Sequence, residues 1–315
     1  MRKRILICGA TGFIGRNIAN FLSKRNDLEI FGTYFQSKPY SNPRITWLRS
    51  DLTKKKDVVE AIAKKDIVIQ AAAVTSGSKE IVTKPYIHTT DNAIMNSLIF
   101  RAAHECNLPH LVFFSCTVMY PSSETPLRET DFDPNGKIHP KYFGGAWTKI
   151  YIEKMCEFYA SLGRTRYTVI RHSNVYGPHD KFDSERSHVV GATIAKVSQA
   201  RDGKITVWGE GKEERDLLYI DDLVQFVELS LNKQTTSFEL CNVGYGKSIS
   251  VKNLVCDIVR ISGKKLDVQY DPSQPSINTQ LCLNIDKARK IFGWMPKISL
   301  ETGLEKTLDW YASHE

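Results

Sequence analysis

The residues whose types and spacing suggest chemistry begin near the amino end. Gly9-Ala-Thr11-Gly12-Phe13-Ile14-Gly15 follows an apolar run, residues 4–8, and leads into a helix-like stretch. Glycines at this spacing allow a tight turn and let backbone approach a pyrophosphate. The helix that follows offers unpaired N–H groups and the positive end of its dipole. Gly9, Thr11, Gly12, Phe13, Ile14 and Gly15 are therefore expected to hold a dinucleotide, and the plain alternative is a structural turn. Asp51-Leu52, after a third apolar run, is placed to hydrogen-bond adenine. Ala71-Ala72-Ala73, after a fourth, is small enough to let the cofactor pass close to backbone. Both also read as ordinary packing. At the tip of the second run, Thr33-Tyr-Phe-Gln-Ser-Lys38 carries neither the acidic residue that favours NAD nor the Arg that favours NADP. Lys38 or Arg44 would meet a 2′-phosphate. NAD is the first expectation and NADP stays open.

The elements that must position these residues alternate in type. Strands are expected at 4–8, 29–34, 45–48, 66–72, 110–115 and 167–172, and helices at 16–24, 57–64, 91–106 and 147–162. Alternating strands and helices imply a parallel sheet with right-handed crossovers, an α/β Rossmann doubly wound fold. After Pro178 the rhythm breaks. Residues 180–187 read as a polar loop, 189–200 as a helix, 205–208 as a strand, 221–231 as a helix and 239–243 as a strand. Residues 285–310 hold two short helices around Gly293-Trp-Met-Pro. A smaller, discontinuous C-terminal substrate lobe is expected. Residues 1–175 and about 213–244 would bind the dinucleotide, and about 176–212 and 245–315 the substrate. The stretch 121–140 reads as a long loop beside the sheet's carboxyl edge, and loops of that length are often functional.

Composition narrows the class. Seven cysteines with no C-x-x-C pair read as free thiols in a reducing, cytoplasmic compartment, and no His/Cys cluster has zinc spacing. No apolar run approaches the ~20 residues that cross a bilayer, so no membrane partner is expected. Met1-Arg-Lys-Arg mimics a signal-peptide head, but its apolar stretch is too short. The net charge of +8 comes with scattered lysines that lack interleaved aromatics, which reads as a solvated surface and not a nucleic-acid site.

Three further segments carry a resemblance: the run from Asn174-Val-Tyr-Gly-Pro-His to His188, the run from Val207-Trp208-Gly-Glu-Gly to Arg215-Asp, and Phe292-Gly-Trp-Met-Pro. With the glycine loop, their spacing resembles the extended short-chain dehydrogenase/reductases over essentially the whole chain. Within that group it is most similar to the GDP-fucose synthase-like enzymes of GDP-sugars. The resemblance implies that Arg215 touches a sugar diphosphate and that Trp208 lies near the nucleotide. It also implies a homodimer built on the two long helices, or a higher homo-oligomer built on that dimer. Arg215 and Asn174 suit a diphosphate chemically, through charge-assisted and neutral hydrogen bonds. The alternatives are a salt bridge from Arg215 to Asp216 or Asp221, core packing for Trp208, and helices that simply cover the sheet.

The same resemblance implies a Ser or Thr, a Tyr and a Lys at the centre. The Lys is Lys149, which holds the nicotinamide ribose and lowers the Tyr pKa. Four residues earlier, in the place of the Tyr, stands Gly145. The Ser register falls on Cys116, flanked by Ser115 and Thr117. His188 matches a second acid used for epimerisation, and Lys196 stands where its partner Arg would be. Three readings follow. A replacement acid/base (Tyr142, His188, Thr117 or a water) serves an active enzyme; the protein is an inactive dinucleotide-binding sensor or subunit; or Gly145 is an engineered change in an ordinary reductase. The first is preferred, as hydride transfer at C4 of a GDP-sugar. GDP-manno-heptose of bacterial capsule or other surface-polysaccharide biosynthesis is the specific expectation, and a simple 4-dehydrogenase is favoured over an epimerase-reductase.

Overall fold

The computed structural model describes residues 2–74, 85–183, 187–274 and 279–314, so the expected polar loop at 180–187 falls partly outside it. Seven parallel strands form the main sheet: β1 (Lys3–Cys8), β2 (Leu28–Tyr34), β3 (Ile45–Arg49), β4 (Ile67–Gln70), β5 (His110–Ser115), β6 (Arg166–His172) and β10 (Phe238–Val243). Their spatial order is β10-β6-β5-β4-β1-β2-β3. The order reverses between β1 and β4, the crevice where doubly wound sheets bind their ligands. The expected Rossmann α/β architecture is present.

Both faces of this sheet are covered, and the strands are correspondingly apolar throughout. Side chains alternate across a strand. Ile5 and Ile7 enter one core with Ile18, Ala19 and Leu22 of α1 (Phe13–Leu22) and Leu223 and Phe226 of α6 (Ile220–Lys233). Leu6 and Cys8 enter the other, with Val58 of α2 (Lys55–Ile62), Ile99 and Phe100 of α3 (Pro85–Glu105), and Ile152 and Cys156 of α4 (Phe143–Ser161).

A second, four-stranded sheet is centred on β9 (Glu214–Tyr219), which pairs in parallel with β7 (Asn174–Tyr176) and β13 (Gln280–Leu281) and antiparallel with β11 (Ser248–Ser250). A parallel pair joins β8 (Lys204–Trp208) to β12 (Asp267–Asp271). Helices α5 (Val189–Gln199), α7 (Val251–Ile261), α8 (Asp286–Phe292) and α9 (Leu300–Ala312) surround these strands. Asp216, fully buried on β9, accepts N–H bonds from Tyr245 (2.7 Å), Gly246 (3.1 Å) and Leu283 (3.1 Å).

All four helices expected before residue 165 begin earlier than the sequence suggests, α3 and α4 by the most. Helix α3 starts at Pro85, a residue suited to a first helical position. Helix α4 starts at Phe143, ahead of Gly144-Gly145, which read as breakers. Residues 121–140 are a connection with short 3-10 turns at Glu129–Asp131 and Pro140–Tyr142, pinned beside β13 by the Leu127–Leu283 bridge.

Candidate active site

The glycine loop is shaped by two collisions and one opening. Gly9 has φ +72°, and a Cβ there would lie 2.7 Å from the Ala72 Cα. A Cβ on Gly15 would lie 2.3 Å from the Gly9 carbonyl oxygen. The fold itself therefore demands glycine at both places. Gly12 differs: a Cβ there would meet the Gly9 oxygen at 3.4 Å, an ordinary contact. Gly12 is the N-cap of α1, which has no side-chain cap and no acidic residue in its first turn. Thr11, Phe13 and Ile14 are half-buried around this turn. The bare cradle at the head of α1 fits a dinucleotide pyrophosphate, and the free helix N–H groups would hold it.

The walls of the crevice are fixed from behind. Gln70 donates from Nε2 to the Ala72 carbonyl (3.1 Å) and to Asn96 Oδ1 (3.0 Å). Ala71 and Ala72 are half-buried and Ala73 is exposed, just past the carboxyl end of β4 beside the switch point. The Asp51-Leu52 pair closely follows β3. Strand β3 ends at Arg49, and Asp51 Oδ1 accepts from the Thr53 backbone N–H (3.1 Å) and hydroxyl (2.6 Å), while Leu52 is buried in the core.

The residues expected to do chemistry gather near the carboxyl ends of β5 and β6 and the first turns of α4. Lys149 is half-buried, and its Nζ donates to the Phe114 carbonyl oxygen at 2.7 Å. Burial pulls its ammonium below the usual lysine range, against the pull of Cys116 and Glu153. One turn earlier, a Cβ on Gly145 would meet nothing within 4 Å, so this position opens onto empty space. Burial raises the Cys116 thiol, with Lys149 opposing. A raised thiol is a poor nucleophile at pH 7, so Cys116 is read as an unreactive thiol. Thr117 is half-buried beside it.

Ser115 does not face this space. It is 1% exposed and donates its hydroxyl to Glu153. Glu153, one turn below Lys149, is held by Arg171 through Nε (3.0 Å) and Nη2 (2.7 Å). Arg171 also donates to the Tyr120 hydroxyl (2.8 Å), which donates to Asn242 Oδ1 (2.9 Å). This buried chain ties α4 to β6, to the 121–140 connection and to β10. Ser115 thus belongs to the supports of the site and not to its lining.

Tyr142 precedes α4 at its N-cap. Burial raises its phenol, and the Arg215 charge opposes this, while Cys116 also acts on it. Tyr142 therefore lies within reach of the Arg215 and Cys116 charges, and Cys116 within reach of Lys149, so three separate stretches converge here. Arg215 donates to the Thr279 carbonyl oxygen (2.7 Å) and hydroxyl (2.9 Å). Its neighbour Asp216 points to the opposite face of β9, as strand alternation requires, into the three backbone N–H groups. Asn174 on β7 reaches the Asp216 carbonyl at 3.4 Å.

His188 is exposed at the N-cap of α5. Lys196 donates to the Thr206 carbonyl (2.9 Å) and sits 5.4 Å from the Trp208 ring centroid. Lys196 and Trp208 line an open cavity of about 390 Å³ with Gln199, Ala200 and Lys204.

Sequence reasoning missed His172. It ends β6, its ring lies 6.2 Å from that of Phe114, and its Nδ1 is 2.8 Å from the Ser173 carbonyl oxygen. Burial, with Lys149 and His188, pushes its imidazole down to about 4, so it is neutral at pH 7. Its place at the end of a central strand was the available signal. Among the described residues no cluster of His, Cys, Asp or Glu suits a metal, and no helix is long and apolar enough to cross a membrane.

Comparison with known proteins agrees with this geometry. GDP-L-colitose synthase of Yersinia pseudotuberculosis is 27% identical, with 99% of each chain covered. GDP-L-fucose synthase of Sinorhizobium fredii is 30% identical over 99% of this chain and 96% of its own. The crystal structure of a UDP-glucose 4-epimerase of Thermotoga maritima superposes with TM-score 0.87 at 23% identity, covering 99% of both chains. Residues 5–244 match the family model described as NAD dependent epimerase/dehydratase, and the chain belongs to that family.

Proposed function

We propose that this protein is an NAD(P)-dependent oxidoreductase that moves a hydride at C4 of a nucleotide-sugar, specifically a GDP-sugar. The observation that supports the reading is Lys149: its ammonium is held on the Phe114 carbonyl near the carboxyl end of β5, one turn after the open Gly145 position, and Tyr142 lies within reach of the Arg215 charge. When bound, the dinucleotide supplies the hydride donor or acceptor. The glycine loop grips its pyrophosphate and Lys149 steadies its nicotinamide end. Arg215 and Asn174 hold the sugar diphosphate, and Trp208 and Lys196 lie toward the nucleotide. Tyr142 takes over the proton. Its raised phenol keeps its hydrogen at pH 7 and donates it to the C4 oxygen in the reducing direction. Thr117 and His188 are the other side chains that would serve.

The GDP preference is supported by relatives named for GDP-L-colitose and GDP-L-fucose synthesis. Within GDP-sugars, GDP-manno-heptose of surface-polysaccharide biosynthesis is the substrate we put first, and a 4-dehydrogenase is favoured because Lys196 replaces the Arg of the epimerising pair. The chain is also read as a cytoplasmic homodimer. Helices α3 and α4, with the α4 C-cap Leu162, turn Tyr86, Ile94, Tyr151, Phe158 and Leu162 to solvent, each at least 42% exposed, and Tyr151, Phe158 and Leu162 fall on one helical stripe.

Mass spectrometry of the purified protein should find NAD(P)(H), and the NADH absorbance band should change with a GDP-sugar. Lys149→Met should abolish turnover. No bound dinucleotide and no absorbance change with any GDP-sugar would sink the proposal. The absence of a hydroxyl at Gly145 favours a second reading, an inactive dinucleotide-binding sensor; bound NADPH without turnover of any sugar would support it.

A further inference from the structure

We propose that Arg16 and Tyr40 form a receptor for the 2′-phosphate of NADP, so that the phosphorylated dinucleotide is the preferred one. The inference rests on the dinucleotide reading above and sharpens it.

The argument starts from what is missing. In doubly wound folds an acidic residue at the tip of the second strand binds the adenosine ribose hydroxyls and rejects a phosphate. Strand β2 ends at Tyr34, and residues 34–44 contain no Asp or Glu. Two cations of this connection were candidates from sequence. Arg44 is spent elsewhere: its Nη1 donates to the Ser23 (3.3 Å) and Lys24 (3.2 Å) carbonyls, past the carboxyl end of α1. That end is about 15 Å along the helix from the glycine loop. Lys38 is exposed.

Arg16 was overlooked because it lies inside the glycine-loop helix, directly after Gly15. Side chains on a helix lean toward its N-terminus, here toward the cradle. The Arg16 guanidinium carbon sits 4.2 Å from the Tyr40 ring centroid, which joins the first turn of α1 to the β2–β3 connection. Tyr40 is braced from behind by Trp47, with ring centroids 5.0 Å apart.

Arg16 Nε and the Tyr40 hydroxyl oxygen are both buried without a hydrogen-bond partner. A buried polar group left unpaired costs about 1–3 kcal/mol, so two in contact beside a phosphate cradle call for an occupant. The free groups are a cationic donor and a hydroxyl, which suits a phosphate and not an apolar or cationic ligand. Burial pushes the Tyr40 phenol up to about 12, against the Arg16 charge, so it remains a donor at pH 7. The His179 imidazole faces Arg16 from the second lobe. It is pushed down to about 4 by burial and by Arg16, so it adds no competing charge.

The test is calorimetric titration of the full chain with 2′,5′-ADP, the phosphorylated half of NADP, and with 5′-AMP, the matching half of NAD. The wild type should bind 2′,5′-ADP at least about tenfold more tightly, the gain expected of one charge-assisted contact. Arg16→Gln should bring the ratio close to one while leaving 5′-AMP affinity within about twofold. Tyr40→Phe should lower the ratio partway. Unchanged far-UV circular dichroism and melting would show that both variants fold. Equal affinities in the wild type, a ratio unmoved by Arg16→Gln, or a ratio lost only in Lys38→Ala would each overturn the proposal. If neither nucleotide binds the wild type, the dinucleotide reading fails first and this inference falls with it.

Discussion

Replacing Arg171 by Met should destabilise the protein by about 3–5 kcal/mol, the usual penalty for stranding one member of a buried ion pair. Glu153 is 4% exposed and Arg171 5%, so little water reaches either. The substitution removes both guanidinium contacts to the carboxylate, at 3.0 and 2.7 Å, and leaves Glu153 with the Ser115 hydroxyl alone. It also strips a donor from the Tyr120 hydroxyl and from the Glu129 carbonyl. Against a total stability of about 5–15 kcal/mol the loss is large. The double variant Glu153→Leu/Arg171→Met has no stranded charge. It still leaves the Ser115 hydroxyl and the Glu129 carbonyl underserved, at about 1–3 kcal/mol. The double variant should therefore be the more stable of the two. Urea unfolding followed by circular dichroism, at one protein concentration, measures both. A loss below about 1 kcal/mol in Arg171→Met, or a double variant less stable than the single, would refute the reasoning.

Gly145→Tyr should be tolerated, because its Cβ meets nothing within 4 Å, and should gain about 0.3–0.5 kcal/mol from replacing a helical glycine. Turnover unchanged by this substitution would fit a replacement acid such as Tyr142, whereas a large gain would mark Gly145 as a change in an ordinary reductase. Phe158→Asp with Tyr151→Lys should yield monomers by light scattering; a variant that stays dimeric would exclude the α3–α4 face. Burial pushes the half-buried Asp180 carboxyl up to about 7, from an unfolded value of 3.8, with the Lys181 N–H opposing. Between those values the folded chain binds the extra proton, so this group's contribution to stability falls as pH rises through the window. Asp180→Asn should then gain on the wild type at pH 8 but not at pH 4, and an equal offset in unfolding midpoint at both would contradict this.

The parallel sheet was readable because its strands are short apolar runs set between helical periods, and strand 110–115 matches to the residue. The glycine loop was readable because steric need writes itself as glycine at Gly9 and Gly15. Strands β7, β11 and β13 were not, since two or three residues are too few to show a period of two. Helix α7 did leave a signal: Val251, Leu254, Val255 and Ile258 are its buried stripe, behind a Ser250 cap. Side-chain direction was the hardest part. Ser115 and Cys116 are adjacent in sequence, yet one is bound to a buried carboxylate and the other borders the cleft. Arg44 and Arg16 look equally able to meet a phosphate until their partners are known.

A last consequence follows from Asp216. One carboxylate holds the amides of Tyr245, Gly246 and Leu283, which arrive from two segments nearly forty residues apart. None of these can swing outward without leaving a charge starved of donors in a dry interior. In heavy water the three amides should therefore exchange at a common rate, as one cooperative unit, and neutralising Asp216 should release them together. The strand that carries Arg215 is anchored by the same event, so the diphosphate end of the cleft would loosen in step with them.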